Sequence, residues 1–173
     1  MRFICLKKSC FSLFLIAFSI TITAQESAIN SEITSDYHKA IKLYNNKAYA
    51  AAQELFSEVS RNANQHENRK ADADYYDAMC AIKLTQDNAD DKVLEFVENH
   101  PYNNKKEKAF INVGNYYFAN RKAAHALKWY QKVNDKLLSQ PERDELNYKM
   151  GYALLVSNYL KDAKSRFQTL LGN

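Results

Sequence analysis

At 173 residues, 46% of them hydrophobic and 13% aromatic, the chain is long enough to bury one sizeable core. Of its 24 Lys+Arg, three (Arg2, Lys7 and Lys8) lie in the first 24 residues, leaving 21 cations against 20 acids beyond them. That balance excludes the strongly basic face that nucleic-acid binding asks for, and three glycines cannot assemble a phosphate-cradling loop.

In chain order, the first feature is a leader. Arg2, Lys7 and Lys8 form a positive n-region, Phe11 to Ile22 is a mostly apolar run, and Thr23-Ala24-Gln25 supplies a cleavage site after Ala24. This reads as a secretory signal peptide over residues 1–24. The apolar run is too short for a membrane span, which needs about 20 residues. Cys10 precedes that run and so is no lipoprotein cysteine. The expectation is an exported chain, periplasmic or secreted, soluble after cleavage and without a stable membrane span. Cys5 and Cys10 leave with the leader, so Cys80 stands alone as a buried small apolar residue with no disulfide partner.

A polar lead-in over residues 25–32 precedes an all-α domain over residues 33–173. Apolar residues recur at three and four, never at two, so the expected elements are helices. The first pair is expected at about 34–45 and 48–61, broken at Asn45-Asn46. The second is expected at about 68–85 and 88–99, closed by Asn99-His100-Pro101, because the residue before proline disfavours the helical region. The third is expected at about 105–119 and 122–135. Pro141 opens the fourth, at about 142–157 and 160–171.

The second helices share one register. Ala52, Ala89, Ala126 and Ala163 are each 37 residues apart, and each begins an A-x3-φ step to Phe56, Val93, Tyr130 or Phe167. A small residue there lets two helices approach closely, and the large one fills the gap beside it. In the first helices, Ala40, Gly114 and Gly151 hold the matching small place. The second pair carries Asp77 in strict register and Ala78 one residue late, which reads as a one-residue slip.

The third pair, FINVGNYYFANRKAAHALKWYQKV from Phe110 to Val133, resembles a tetratricopeptide repeat (TPR). Phe110, Val113, Gly114 and Tyr117 fall on the W-x2-L-G-x2-Y pattern, and Ala126, Tyr130 and Val133 on the part that follows. The resemblance spans roughly residues 33–171. It implies a right-handed α-solenoid of about four TPR-like helix pairs with a 37-residue period. It further implies a non-catalytic scaffold, similar to exported bacterial TPR proteins, that binds a protein or peptide on the inner face of its first helices. The residues implied for that contact are Tyr37, Tyr75, Lys108, Asn112, Asn115, Tyr148 and Tyr152. Lys108 and Asn115 are similar to part of the Lys/Asn/Arg clamp with which some TPR domains hold a carboxylate. Tyr37 and Ile41 stand where the clamp's Lys and Asn belong, which disfavours that use.

No catalytic, cofactor or metal constellation is expected. His38, His66, His100 and His125 lack zinc-ligand spacing and read as solvated. Asp72, Asp74 and the Asp90-Asp91 pair fall near helix starts, where acids suit the dipole. Lys105-Lys106 reads as a solvated helix start. The alternative function is an accessory or N-terminal module of a larger exported enzyme or ligand-binding protein. After Phe167, Leu170 and Leu171 no capping helix follows, so this end is expected to continue the solenoid or to pair with another chain.

Overall fold

The computed structural model describes residues 31–63 and 68–172. The leader, the lead-in up to residue 30 and His66 lie outside the described residues. Among the described residues the chain is all-helical, without a strand, and no helix is long and apolar enough to cross a membrane. Helix α1 covers 31–45, so Ser31 and Glu32 are already helical. Then come α2 (Tyr49–Asn62), α3 (Asn68–Lys83), α4 (Ala89–Asn99), α5 (Lys106–Ala119) and α6 (Ala123–Tyr130). A short 3-10 helix (Asp135–Leu137) leads to α7 (Gln140–Val156) and α8 (Leu160–Leu171).

Four equivalent turns join α1 to α2, α3 to α4, α5 to α6 and α7 to α8. Each has one residue in the left-handed region: Lys47, Thr85, Arg121 and Asn158, with φ of 63°, 57°, 59° and 66°. In each, that residue's N–H bonds a carbonyl three back and the next N–H bonds one five back, as in Lys47 to Tyr44 and Ala48 to Leu43. This is a Schellman closure, which satisfies carbonyls that a helix end otherwise leaves orphaned. None of the four is glycine, so each side chain resists the conformation by about 1–2 kcal/mol. Thr85, β-branched, is the least suited; its Oγ1 lies 2.9 Å from Tyr116 Oη. The turn residues are 38, 36 and 37 positions apart, so the slip at Asp77/Ala78 is present as a shift of the whole of α3.

Tight turns hold the two helices of a pair together, and the small residues set how close they come. Ala52, Ala89, Ala126 and Ala163 are all buried, as are Ala40 and Ala78. A Cβ on Gly114 would sit 2.3 Å from Tyr130 Cε1, and one on Gly151 would sit 2.7 Å from Phe167 Cε1. The ring therefore lies directly on the partner helix's backbone. Successive pairs add apolar clusters: Phe56 stacks on Tyr76 across α2 and α3, and Phe110 packs near Trp129. Tyr130, Leu146 and Met150 share the cluster that joins the third pair to the fourth. Cys80 is fully buried, and burial, then the Asp77 charge, pushes its thiol up to about 12.

Besides the earlier start of α1, two elements differ from expectation. Helix α6 stops at Tyr130 instead of running to 135. The Lys132 and Val133 N–H groups bond carbonyls three back, and the Asn134 N–H is drawn to the buried Glu107 carboxylate at 2.6 Å. Helix α7 begins at Gln140 because Glu142 receives both the N–H and the O–H of Ser139, at 2.8 and 2.6 Å. That is the carboxylate half of a capping box.

The ring-on-glycine contact makes a direct prediction. Gly151→Ala should destabilise by about 1–3 kcal/mol through overpacking, although alanine is the better helix former by about 1 kcal/mol. Gly172→Ala, whose Cβ would meet nothing nearer than 3.9 Å, should change stability by less than about 0.5 kcal/mol. Urea unfolding of both variants checks the contrast; equal effects would contradict the contact.

Candidate functional site

Helix α5 places Lys108, Ile111, Asn112 and Asn115 on one stripe, since residues three and four apart share a face. Helix α7 answers with Glu142, Glu145, Leu146 and Lys149. Between them lies a groove of about 820 Å³, lined also by the 101–104 loop and by Tyr130. Three of the residues expected at a partner contact, Lys108, Asn112 and Asn115, therefore come together here.

Hydrogen bonds hold the groove in shape. Asn112 Nδ2 donates to Tyr75 Oη at 2.8 Å. Asn115 Oδ1 accepts from Tyr130 Oη at 2.8 Å and from Lys149 Nζ at 3.0 Å. The carboxylates are all engaged within the fold: Glu107 holds the Asn134 N–H, Glu142 caps α7, and Glu145 pairs with Lys149. The Ser139 bonds hold the Glu142 carboxyl below its ordinary value, and the Lys108 charge adds to them. Lys108 itself is exposed. The groove thus offers fixed amide groups flanked by an exposed ammonium, a setting that can bond main-chain amides or an acidic side chain.

The other expected contacts lie elsewhere. Tyr148 and Tyr152, 54% and 46% exposed, line a second shallow groove with Phe118, Arg121 and Val156. The Tyr152 ring meets Phe118 edge-on, with centroids 5.5 Å apart. Tyr37 is half-buried, with its hydroxyl donating to Asp72 at 3.3 Å and Arg69 over its ring. Tyr75 is 3% exposed, so a partner cannot reach its ring. That is a correction: its ring lies in the cluster that α3 shares with α4 and α5, against Tyr76 and Phe96.

A polar network at the junction of the first three pairs was not legible as such. Asp72 and Asp74 do more than suit a helix start. Asp72 pairs with Lys105 at 2.5 Å, which removes Lys105 from the role of a merely solvated helix start. Asp74 Oδ2 lies 2.7 Å from His100 Nε2, so His100 is tied down and not solvated. Asp74 also receives the Ser60 hydroxyl, and Lys70 donates to Ser60 Oγ at 2.8 Å. Lys92 pairs with Asp77 at 2.5 Å. His38 and His125 are exposed, as expected. Among the described residues no three His, Cys, Asp or Glu side chains converge to hold a metal ion.

No protein-family model matches the chain, and no curated protein matches it.

The tyrosines around this framework give a pH prediction. Burial first, then the Cys80 thiol and after it the neighbouring phenols, push Tyr44 up to about 12; burial and then the Asp90 bond do the same for Tyr117. Tyr37, Tyr75 and Tyr130 are raised further, each mainly by burial. These phenols bind protons in the fold that the unfolded chain releases near 10. Their contribution to stability is whole below pH 10 and is lost as pH rises toward 12. The urea midpoint should fall steeply across that window, with late phenolate absorbance appearing on unfolding. A flat midpoint, with every phenol titrating near 10, would contradict their burial.

Proposed function

We propose that the chain is a non-catalytic scaffold of the cell envelope, exported to the periplasm or secreted, which binds a protein or peptide in the α5–α7 groove. In this reading the helix pairs form a right-handed α-solenoid of about four TPR-like units with a 37-residue period, and the first helices line its inner face. The observation that carries the proposal is the groove of about 820 Å³ on two successive first helices, with Lys108, Asn112 and Asn115 along one wall. Side-chain amides held by internal bonds suit an extended segment, because a preorganised surface loses little entropy on binding. The recurrence of the same turn at Lys47, Thr85, Arg121 and Asn158 supports the repeat. The apolar run and cleavage pattern before Gln25 support export.

The test places a photo-crosslinking residue at Lys108 and, as a control, at Leu94, which is exposed on α4. The groove probe should capture a discrete envelope protein that the control does not. Lys108→Ala, at an exposed residue, should then weaken the purified complex at least about tenfold, or ~1.4 kcal/mol, with little change in melting temperature. Identical capture at both positions, or unchanged affinity in the Lys108→Ala variant, would overturn the groove as the binding site.

A further inference from the structure

The near-even total of charge divides unequally between neighbouring helix pairs. Residues 68–99 hold eight acids against four Lys or Arg, and residues 105–136 hold two against eight. Part of this is used inside the fold: Asp72, Asp74 and Asp77 pair with Lys105, His100 and Lys92, and Asp90 accepts from Tyr117 at 2.9 Å. The remainder faces solvent. On α4 and the turn before it, Asp87, Asp91, Glu95 and Glu98 are exposed, on one helical stripe. On α6 and its start, Lys122 and Lys128 are exposed, and no acid occurs from residue 108 to 134. None of these four acids and neither lysine enters an ion pair among the described residues.

Helix stability does not explain the sorting. Glu98 lies in the last turn of α4 and Lys122 at the N-cap of α6, the ends where the helix dipole disfavours their sign. Solubility does not ask for it either, since mixed signs serve that purpose. The two stripes also hold matching places: Asp91 and Lys128 each follow by two residues the buried alanine of their helix, Ala89 or Ala126. In the stack of pairs proposed above, on which this alignment rests, they stand side by side at one height. A two-fold axis between α4 and α6, parallel to them, then lays α4 of each copy on α6 of the other. Asp91 meets Lys128, and Asp87 meets Lys122. Leu94, 42% exposed on the same part of α4, adds an apolar contact. An extended polyanion or an anionic membrane would instead meet the acids of α4 beside the cations of α6.

We propose that two copies of this chain pair through these outer faces, α4 of each against α6 of the other. Closed two-fold pairs are the commonest assemblies. Exposed charge pairs are individually weak, so the pairing is salt-sensitive. Sedimentation of the full chain tests it. At about 0.01 M salt, where charges act over about 30 Å, the mass should rise with concentration to twice that of one chain; at about 1 M, where they act over about 3 Å, it should return to one chain. Lys122→Glu with Lys128→Glu makes both stripes acidic, and Asp87→Lys with Asp91→Lys makes both basic. Each variant alone should pair at least about tenfold more weakly, because like charges now face each other, with unchanged helical circular dichroism. An equimolar mixture of the two should restore a one-to-one pair. The single changes Lys128→Glu and Asp91→Lys serve in the same mixture if a double variant fails to fold. A wild-type chain that stays single at low salt overturns the proposal, and so does a mixture that forms no pair. Each variant is expected to stay single, so its X-ray scattering reads the shape of one chain alone. A length that fits four stacked pairs, with no pairing in the mixture, would overturn the contact and leave the stack standing.

Discussion

The close approach of the two helices in each pair is the constraint on which the rest of the structure depends. Where the first helix carries Gly114 or Gly151, the ring of Tyr130 or Phe167 rests on its backbone. The first and second pairs use Ala40 and Ala78 instead, in the same clusters as Phe56 and Val93. Packed interiors have no spare volume, so one methyl more or less at these places moves a helix. The turn follows from this spacing. Four different non-glycine residues accept a left-handed φ because a longer, relaxed turn would let the pair open.

With the pairs fixed, the first helices come within hydrogen-bond reach of one another, and a ladder of polar contacts runs along them. Tyr37 reaches Asp72, Tyr75 reaches Asn112, and Asn115 reaches Lys149, over separations of 35, 37 and 34 residues. Lys105, just before α5, extends the ladder from Asp72. Each neutral bond adds about 0.5–1.5 kcal/mol net. The larger effect is on shape: the rungs hold Asn112 and Asn115 still, so the groove beside them is preformed. The same residues thus serve both the cohesion of the stack and the surface proposed for a partner.

How much of this was legible in the sequence depends on distance along the chain. Helices, turns and the alanine register are local or strictly periodic, and the expected spans lie close to the observed ones. The small-residue places were readable because Gly114 and Gly151 repeat at the interval of the alanines. The slip in α3 was readable too, but the burial of Tyr75 was not. Tyr75 packs on Phe96 of α4 and Tyr76 on Phe56 of α2, contacts between residues 20 or more apart that no local spacing announces. The Asp74–His100 and Asp72–Lys105 pairs join residues 26 and 33 apart, with no shared spacing to announce them. The early end of α6 depends on Glu107 reaching a backbone N–H 27 residues later. The Ser139–Glu142 cap is different: the S-x-x-E spacing stands in the sequence and could have been found.

The most direct test of the central constraint is a double-mutant cycle between Gly114 and Tyr130, read by urea unfolding. Gly114→Ala adds a methyl group that strikes the ring, and Tyr130→Val removes the ring, giving the Ala and Val combination of the second pair. If close approach governs the fold, the double variant is more stable than the sum of the single losses predicts, by about 0.5–3 kcal/mol. Strict additivity of the two losses would mean that the ring and the glycine do not constrain each other, and would contradict the account.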